Sequence, residues 1–343
     1  MIGRDEILRR LRETDRARLR ESWAEADRVR RETVGDEVHL RGLIDIGNVC
    51  VRRCLYCGIR AGAPMRRYRM SREEVLAQAA LAKKFGYGTL VLQSGEDPGI
   101  ETEGMARLLV EIKDRYGLAV TVSLGERPLA DYRRFREAGA DRVLLKFESS
   151  NPDLYRRIHP PLADNEPSRP DQLRALRDLG YEIGSGAMIG VPGQTFDILA
   201  RDLLLFAALD LDMIGIGPYI PHPATPLGQE MLGNWRPGPD QVPNSDLMTL
   251  NALALTRLLC PQANIPATTA LVTVSATGYA DALNAGANVI MPNLTPAPYA
   301  SLYEIYPKPL PPGPEAVHAA VLSAIAAAGR RPGSGRGGRG RKS

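Results

Sequence analysis

The chain alternates between short apolar runs and longer stretches in which apolar residues recur every three or four positions. The short runs read "VHLRGLIDIG", "GTLVLQSG", "AVTVSLG", "DRVLLKFES", "EIGSGAMIG", "DMIGIGPYI", "NIPATTALV" and "ANVIMPNL", eight in all. Their length and their flanking turn residues predict strands. Between them, "SREEVLAQAALAKKFGYG", "LADYRRFREAGA" and "DQLRALRDLGYE" carry a 3.6-residue period and end in Gly, as helix C-termini commonly do. An amphipathic, charge-laced helix over residues 3 to about 33 is expected ahead of the first strand.

Eight β-then-α units within roughly 260 residues predict an α/β fold of the (β/α)8 TIM-barrel type, since an open doubly wound sheet of this length would carry fewer strands or a second domain. The expected organisation is an N-terminal helical segment (1–36), one barrel domain (37–300), a C-terminal helical extension (301–328) and a disordered basic tail (329–343). A polar, proline-bearing insertion after the sixth strand, "GQEMLGNWRPGPDQVPNSD", is expected to run over the barrel mouth. In such a barrel the chemistry sits on loops at the carboxyl ends of the strands.

Composition narrows the class. The 343 residues are 44% hydrophobic and 24% charged, enough for a full core. No apolar run approaches the roughly 20 residues of a membrane-spanning helix, and the opening residues are too charged for a signal peptide, so a cytoplasmic protein without a membrane partner is expected. Clustered cysteines fit a reducing compartment better than a disulfide framework. The formal charge of +4 includes six basic residues in "GRRPGSGRGGRGRKS". That tail has no apolar residue to bury and reads as a disordered, solubilising terminus rather than a nucleic-acid contact.

The chain's 4 Cys place three together in "NVCVRRCLYCG", directly after the first strand: Cys50, Cys54 and Cys57. Arg52 and Arg53 between them argue against a buried loop. A structural zinc site needs four ligands, usually as two pairs; no second pair exists, and His39 lies at the far end of the preceding strand. A thioredoxin-like role for Cys54 and Cys57 leaves Cys50 unexplained. Three thiolates on one tight loop suit a 4Fe-4S cluster whose fourth iron is open to an exogenous chelating ligand. The C-x3-C-x2-C spacing, with Tyr56 before the last cysteine, resembles the signature of the radical S-adenosylmethionine (SAM) superfamily. The resemblance implies that the SAM amino and carboxylate groups chelate that iron. One electron from the cluster then cleaves the sulfonium bond to methionine and a 5'-deoxyadenosyl radical.

The other strand ends carry polar groups. In "LQSGEDP", Gly95 and Glu96 resemble the superfamily motif that contacts the methionyl amine, with Gln93, Ser94 and Asp97 alongside; the same segment reads as a turn with Asp97 as N-cap and Pro98 at N1. Strand alternation puts Thr121 and Ser123 on one face and Lys146 and Glu148 on one interior face, where an unpaired charge is costly. Glu148 resembles the family carboxylate that binds the cofactor ribose or amine, an ion pair with Lys146 being the plainer alternative. "GSGAMIGVPGQT" resembles the glycine-rich adenine-side segment. His222 reads as a loop histidine and Cys260, ending "LNALALTRLLC", as a core residue. Tyr299, Tyr303 and Tyr306 have the spacing of one helical stripe and bring hydroxyls toward the mouth.

In order over about residues 35 to 310, "CLYCGIR", "RYRMSREEV", "LQSGEDP", "SLGE", "GVPGQT", "GIGPYIPHPATPL", "NIPATTA" and "ANVIMPNLTP" resemble the FeFe hydrogenase maturase family usually called HydE. The resemblance implies an enzyme that processes a cysteine-bound Fe(CO)2(CN) unit made by a tyrosine-cleaving maturase. A GTPase scaffold would receive the product, and a low-potential donor would supply the electron. It implies that Thr121, Arg142, Lys146, Thr268, Thr269 and Tyr306 line the substrate end of the cavity. Tyr56, Gln93, Ser94, Gly95, Glu96, Ser123, Glu148, Arg169 and Tyr303 would surround SAM. "YPKPLPPGPEAVHAAV" contains no cysteine, so one cluster and no auxiliary cluster is expected, and Lys146 stands where the family leads one to expect arginine. Two alternatives remain open: a related enzyme acting on an amino acid, such as a methylornithine synthase, and a non-enzymatic iron-sulfur carrier, against which the strand-end polar groups argue.

Overall fold

Each of the eight apolar runs supplies a parallel strand. The computed structural model describes residues 2–339 except 164, 165 and 311. Ahead of the sheet lie α1 (Arg4–Leu11) and α2 (Arg16–Val34). The strands are β1 (Glu37–Gly47), β2 (Thr89–Ser94), β3 (Ala119–Ser123), β4 (Arg142–Leu144), β5 (Glu182–Ile189), β6 (Met213–Pro218), β7 (Pro266–Ala267) and β8 (Val289–Ile290). They pair in the order β6-β5-β4-β3-β2-β1-β8-β7. A parallel bridge between Met213 and Asn264, with Ile214 N–H donating to the Asn264 carbonyl at 3.0 Å, brings β6 to the segment leading into β7 and nearly closes the ring.

Helices on the outside cover this barrel. They are α3 (Arg72–Lys84), α4 (Thr102–Tyr116), α5 (Leu129–Glu137), α6 (Pro152–Ile158), α7 (Arg169–Asp178), α8 (Phe196–Ala208) and α9 (Pro226–Leu232). The rest are α10 (Asp246–Leu259), α11 (Thr269–Val274), α12 (Gly278–Asn284), α13 (Ala297–Ala300) and α14 (Pro314–Ala327). Their starts follow from local chemistry: Ser71 and Glu74 form a reciprocal capping box on α3, and Ser168 caps α7. Strand alternation divides the side chains. Leu40, Ile44 and Ile46 of β1, Leu90 and Leu92 of β2 and Val120 and Val122 of β3 join the core shared with the helices, leaving the intervening residues to the barrel interior.

Three expectations need correction. The N-terminal helix is two helices, because the Asp15 side chain accepts the N–H groups of Ala17 and Arg18 and so starts a new helix where one continuous helix was expected. Asp97 does not cap a helix. It accepts the Gly99 N–H at 2.8 Å and pairs with Arg69, and α4 begins only after Glu101.

The tail is the third. A short strand, β9 (Arg331–Pro332), pairs with β1, and the chain then passes beneath the amino-terminal ends of the strands. The Arg336 carbonyl accepts from Thr89 Oγ1 (2.9 Å) and Arg142 Nη2 (3.0 Å), the Gly337 carbonyl accepts from Arg41 Nη2 (3.0 Å), and Arg339 pairs with Asp210 (2.6 Å). A Cβ on Gly88 would lie 1.6 Å from the Gly335 oxygen, so only glycine lets the tail pass this closely. Lack of apolar side chains predicts disorder only when the backbone has no partners of its own, and here buried arginines supply them. Residues 340–343 lie outside the described residues. No helix among the described residues is long and apolar enough to cross a membrane.

Candidate active site

Alternation points Arg41, Leu43 and Asp45 of β1, Val91 and Gln93 of β2, and Thr121 of β3 inward. With Lys146, Glu148, Thr268 and Thr269 they line a cavity of about 260 Å³ that reaches from Arg41, which also touches the tail, to Tyr56 and Cys57 at the carboxyl ends of the strands. Tyr303, Tyr306 and Lys308 complete its lining at the mouth.

Cys50, Cys54 and Cys57 follow β1 on one loop. Cys54 is buried and the other two are half-buried. Cys50 Sγ accepts the Glu96 N–H at 3.4 Å, and Cys54 Sγ lies 3.0 Å from His159 Nδ1. Burial raises all three thiols, that of Cys54 to about 12 and that of Cys57 beyond it. Without a cation they stay protonated, and metal loading must displace their protons. Gly95 permits the loop's position, because a Cβ there would fall 2.3 Å from the Val49 oxygen and 2.7 Å from Cys50 Cβ. The helix α9 of the insertion clasps the loop from outside: Leu227 N–H donates to the Leu55 carbonyl at 3.0 Å, and Leu227 packs with Leu55 and Tyr56.

Arg52 is not the exposed loop residue its charge suggests. It is 4% exposed and held by Glu96 (2.6 Å), Glu126 (3.1 Å) and Glu166 (2.7 Å). Three carboxylates replace its water, so this cation is buried by pairing, while Arg53 beside it stays exposed as expected. Burial pushes the Glu96 carboxyl up, against the opposing pull of the Glu126 N–H and Arg52.

Most of the expected site residues fall into two groups. Tyr56, Gln93, Thr121, Lys146, Glu148, Thr268, Thr269, Tyr303 and Tyr306 line the cavity, and Ser94, Gly95 and Glu96 adjoin the cysteine loop through the Cys50 contact. Glu148 adopts a left-handed φ of 59°, and its Oε2, buried without a hydrogen bond, is 3.7 Å from Lys146 Nζ. Such a backbone conformation is costly in a non-glycine residue. The Thr121 hydroxyl is likewise buried without a partner. Arg169, first residue of α7, reaches Glu126 (2.9 Å) and His159 (3.2 Å) rather than Glu148, and its guanidinium also meets the Lys146 carbonyl.

Arg142 is elsewhere. Sitting at the first position of β4, it bonds Glu182, Thr89 and the Arg336 carbonyl on the floor, so it does not line the cavity. Ser123 is half-buried at the end of β3, outside the lining. Tyr299, Tyr303 and Tyr306 share no helix, since α13 ends at Ala300; Tyr299 stacks on Tyr68 and donates to Glu74, while Tyr303 and Tyr306 turn to the cavity. Cys260 sits half-buried at the end of α10 against the core.

Alternation also finds what was missed. Arg41 and Asp45 are charged residues inside an apolar strand, an even number of positions apart and so on one inward face, as Lys146 and Glu148 are. Asp45 is 1% exposed and accepts from Gln93 (2.9 Å) and Asn293 (3.2 Å); burial raises its pKa. Arg41 meets Met213 Sδ (2.7 Å) and the tail, and burial, with Arg142 nearby, pushes its pKa down to about 9, which leaves it charged at neutral pH. His159 had no signal in the sequence, because what makes it notable is its neighbour across the fold.

A near-closed parallel barrel with three cysteines on the loop after β1 defines a radical SAM enzyme. Residues 44–206 match the model of the Radical SAM superfamily. The FeFe hydrogenase maturase subunit HydE of Thermotoga maritima is 47% identical over 92% of this chain and 87% of its own length. The chain belongs to the HydE family. More distantly, 3-methylornithine synthase of Methanosarcina acetivorans is 28% identical over 77% of this chain and 72% of that protein. Among solved structures, methylornithine synthase superposes with a TM-score of 0.81 at 23% identity, covering 97% of this chain and 94% of that one. The maturase HydG superposes at 0.77 and 18%, covering 96% and 72%. These two share the fold. The family implies a 4Fe-4S cluster and SAM, and the residues fit them: three thiols on one loop, a glycine where a side chain would displace Cys50, and orphaned polar atoms of Thr121 and Glu148 beside a cavity that begins at Cys57.

Proposed function

We propose that this enzyme acts in assembly of the FeFe hydrogenase active-site cluster, cleaving SAM reductively and processing a cysteine-bound Fe(CO)2(CN) substrate in the barrel cavity. The lining of that cavity carries the reading: Arg41, Lys146 and Lys308 with the hydroxyls of Thr121, Thr268, Thr269 and Tyr306 suit an anionic, cyanide-bearing complex. Kinship with HydE of Thermotoga maritima supports it.

Cys50, Cys54 and Cys57 hold one 4Fe-4S cluster; Cys260, at the end of α10, leaves no cysteines for a second. When bound, the cluster and SAM supply an electron and a carbon-centred oxidant. The chain supplies orientation. Glu148 and Gln93 offer acceptor oxygens to the SAM ammonium or ribose, with Ser94, Gly95, Glu96, Tyr56 and Tyr303 around them. Lys146 bridges the two ends, since it pairs with Glu148 and faces the threonines. The α9 helix holds the cysteine loop from outside, and the tail lies under the floor. A low-potential donor feeds the cluster, a tyrosine-cleaving maturase supplies the substrate, and a GTPase scaffold accepts the product.

The test is 5'-deoxyadenosine release by the anaerobically reconstituted enzyme, with the synthetic iron complex, with lysine or with no substrate. Stimulation by the iron complex, lost in Cys57→Ala, is expected. Stimulation by lysine instead would move the enzyme to the amino-acid mutases, and a loaded cluster with no cleavage at all would leave an iron-sulfur carrier.

A further inference from the structure

Among the three cysteines, Cys54 has a side-chain partner that nothing in the proposed reaction uses. His159, at the C-cap of α6, is 2% exposed, and its Nδ1 lies 3.0 Å from Cys54 Sγ. The contact is built from both sides. Leu55 N–H donates to the Ile158 carbonyl at 2.8 Å, which ties the cysteine loop to the end of α6. Tyr155 stacks on the imidazole at 4.9 Å and 26°, and the Arg169 guanidinium lies over Tyr155 at 5.7 Å.

The direction of the bond follows from its far side. His159 Nε2 is 3.2 Å from Arg169 Nη2, and a guanidinium nitrogen only donates. Nε2 therefore accepts, and the single proton of the neutral ring sits on Nδ1, facing the sulfur. Glu126 Oε1, 3.7 Å from Nε2, lies beyond hydrogen-bond distance, whereas Arg169 Nη2 lies within it at 3.2 Å. A cysteine bound to iron has no thiol proton to give, so the contact then has one form, N–H to sulfur.

We propose that His159 is a positioning residue for the iron-sulfur cluster, donating Nδ1–H to the Cys54 sulfur and so raising the cluster's reduction potential. The proposal rests on the reading of the three cysteines as cluster ligands. Hydrogen bonds to ligand sulfurs draw off electron density and favour the reduced form, and a donor that touches a ligand atom also fixes that ligand's orientation. Cys50 receives backbone bonds, from Glu96 at 3.4 Å and from Arg52, and among the described residues no side chain donates to it as His159 does to Cys54. Among the described residues the chain Glu126–Arg169–His159–Cys54 thus links the carboxylates that hold Arg52 to one cluster sulfur.

The experiment is a redox titration of the reconstituted holoenzyme, following the reduced cluster by electron paramagnetic resonance, in wild type, His159→Leu and His159→Asn. Asparagine keeps an N–H near the position of Nδ1 and leucine keeps none. At the wild-type midpoint the leucine variant is expected to show about a tenfold lower ratio of reduced to oxidised cluster, equivalent to about 59 mV for one electron, and asparagine is expected to restore most of it. An unchanged midpoint in a fully loaded His159→Leu, or equal shifts in both variants, overturns the proposal.

Should His159→Leu fail to load, 15N-histidine labelling decides in a His222→Gln background, chosen because a Cβ on Gly58 would lie 2.7 Å from the His222 ring. A 15N coupling to the reduced cluster is expected there, and its absence overturns the proposal. Wild-type protein that binds no cluster refutes the cluster reading itself, whereas a loaded cluster blind to His159 refutes this inference alone.

Discussion

A methyl group at residue 95 tests the cysteine loop without touching a ligand. Gly95→Ala would place carbon 2.3 Å from the Val49 oxygen, and backbone cannot step aside as a flexible side chain can. The expected outcome is a loss of about 1–3 kcal/mol in stability together with a marked fall in iron and sulfide bound after reconstitution; full cluster content would show that the loop tolerates displacement. Lys146 and Arg142 form a second pair of tests, since both were expected at the substrate and only Lys146 lines the cavity. Lys146→Gln should weaken stimulation of SAM cleavage by the iron complex and leave the melting temperature nearly unchanged. Arg142→Gln should do the reverse, destabilising by roughly 2 kcal/mol through its lost bonds to Glu182 and the tail. Thermal melts and 5'-deoxyadenosine assays on the two variants separate the cases. The cysteine loop was legible in the sequence because three candidate ligands sit within eight residues. Arg142 was misplaced because a strand's inward face runs from floor to mouth, and alternation gives the face without the height.

Between residues and molecule stand the segments that fasten strand ends to helices. Asp202 of α8 is fully buried and accepts from the Ser150 N–H (2.5 Å) and from Gln194 (3.3 Å), joining the loop after Glu148 to the "GVPGQT" turn. Burial pushes its pKa up to about 7 from the ordinary 3.8. The native state therefore keeps a proton that the unfolded chain releases, and this group's contribution is greatest below about pH 4 and is lost as pH rises through about 7. Three pH units correspond to at most about 4 kcal/mol. Asp202→Asn should flatten the denaturation midpoint between pH 5 and pH 8, and parallel profiles for the two proteins would contradict the assignment. Some helix starts follow from a cap residue alone, as at Ser71 and Ser168, whose side chains accept a backbone N–H three residues on. At Asp97 none does, because Arg69 claims the same carboxylate from a distant segment.

The whole barrel was legible from eight apolar runs, since each strand's pattern is local. Its floor was not. The tail's partners are arginines on β1 and β4, far away in sequence, and nothing in a Gly/Arg composition names them. Gly88→Ala should lever the tail off, because the new carbon would lie 1.6 Å from the Gly335 oxygen. Limited trypsin digestion should then cut among residues 330–339 several times faster while the barrel stays intact, and an unchanged rate would mean that the tail can pass by another route. The pairing of Glu37 with Arg331 also bears on the order of events during synthesis. A contact that spans nearly the whole chain has a high closure entropy and forms late. The ring of strands is therefore complete before its underside is sealed, and for that interval a newly made molecule is a pipe open at both ends, with Arg41 and Arg142 meeting water from below.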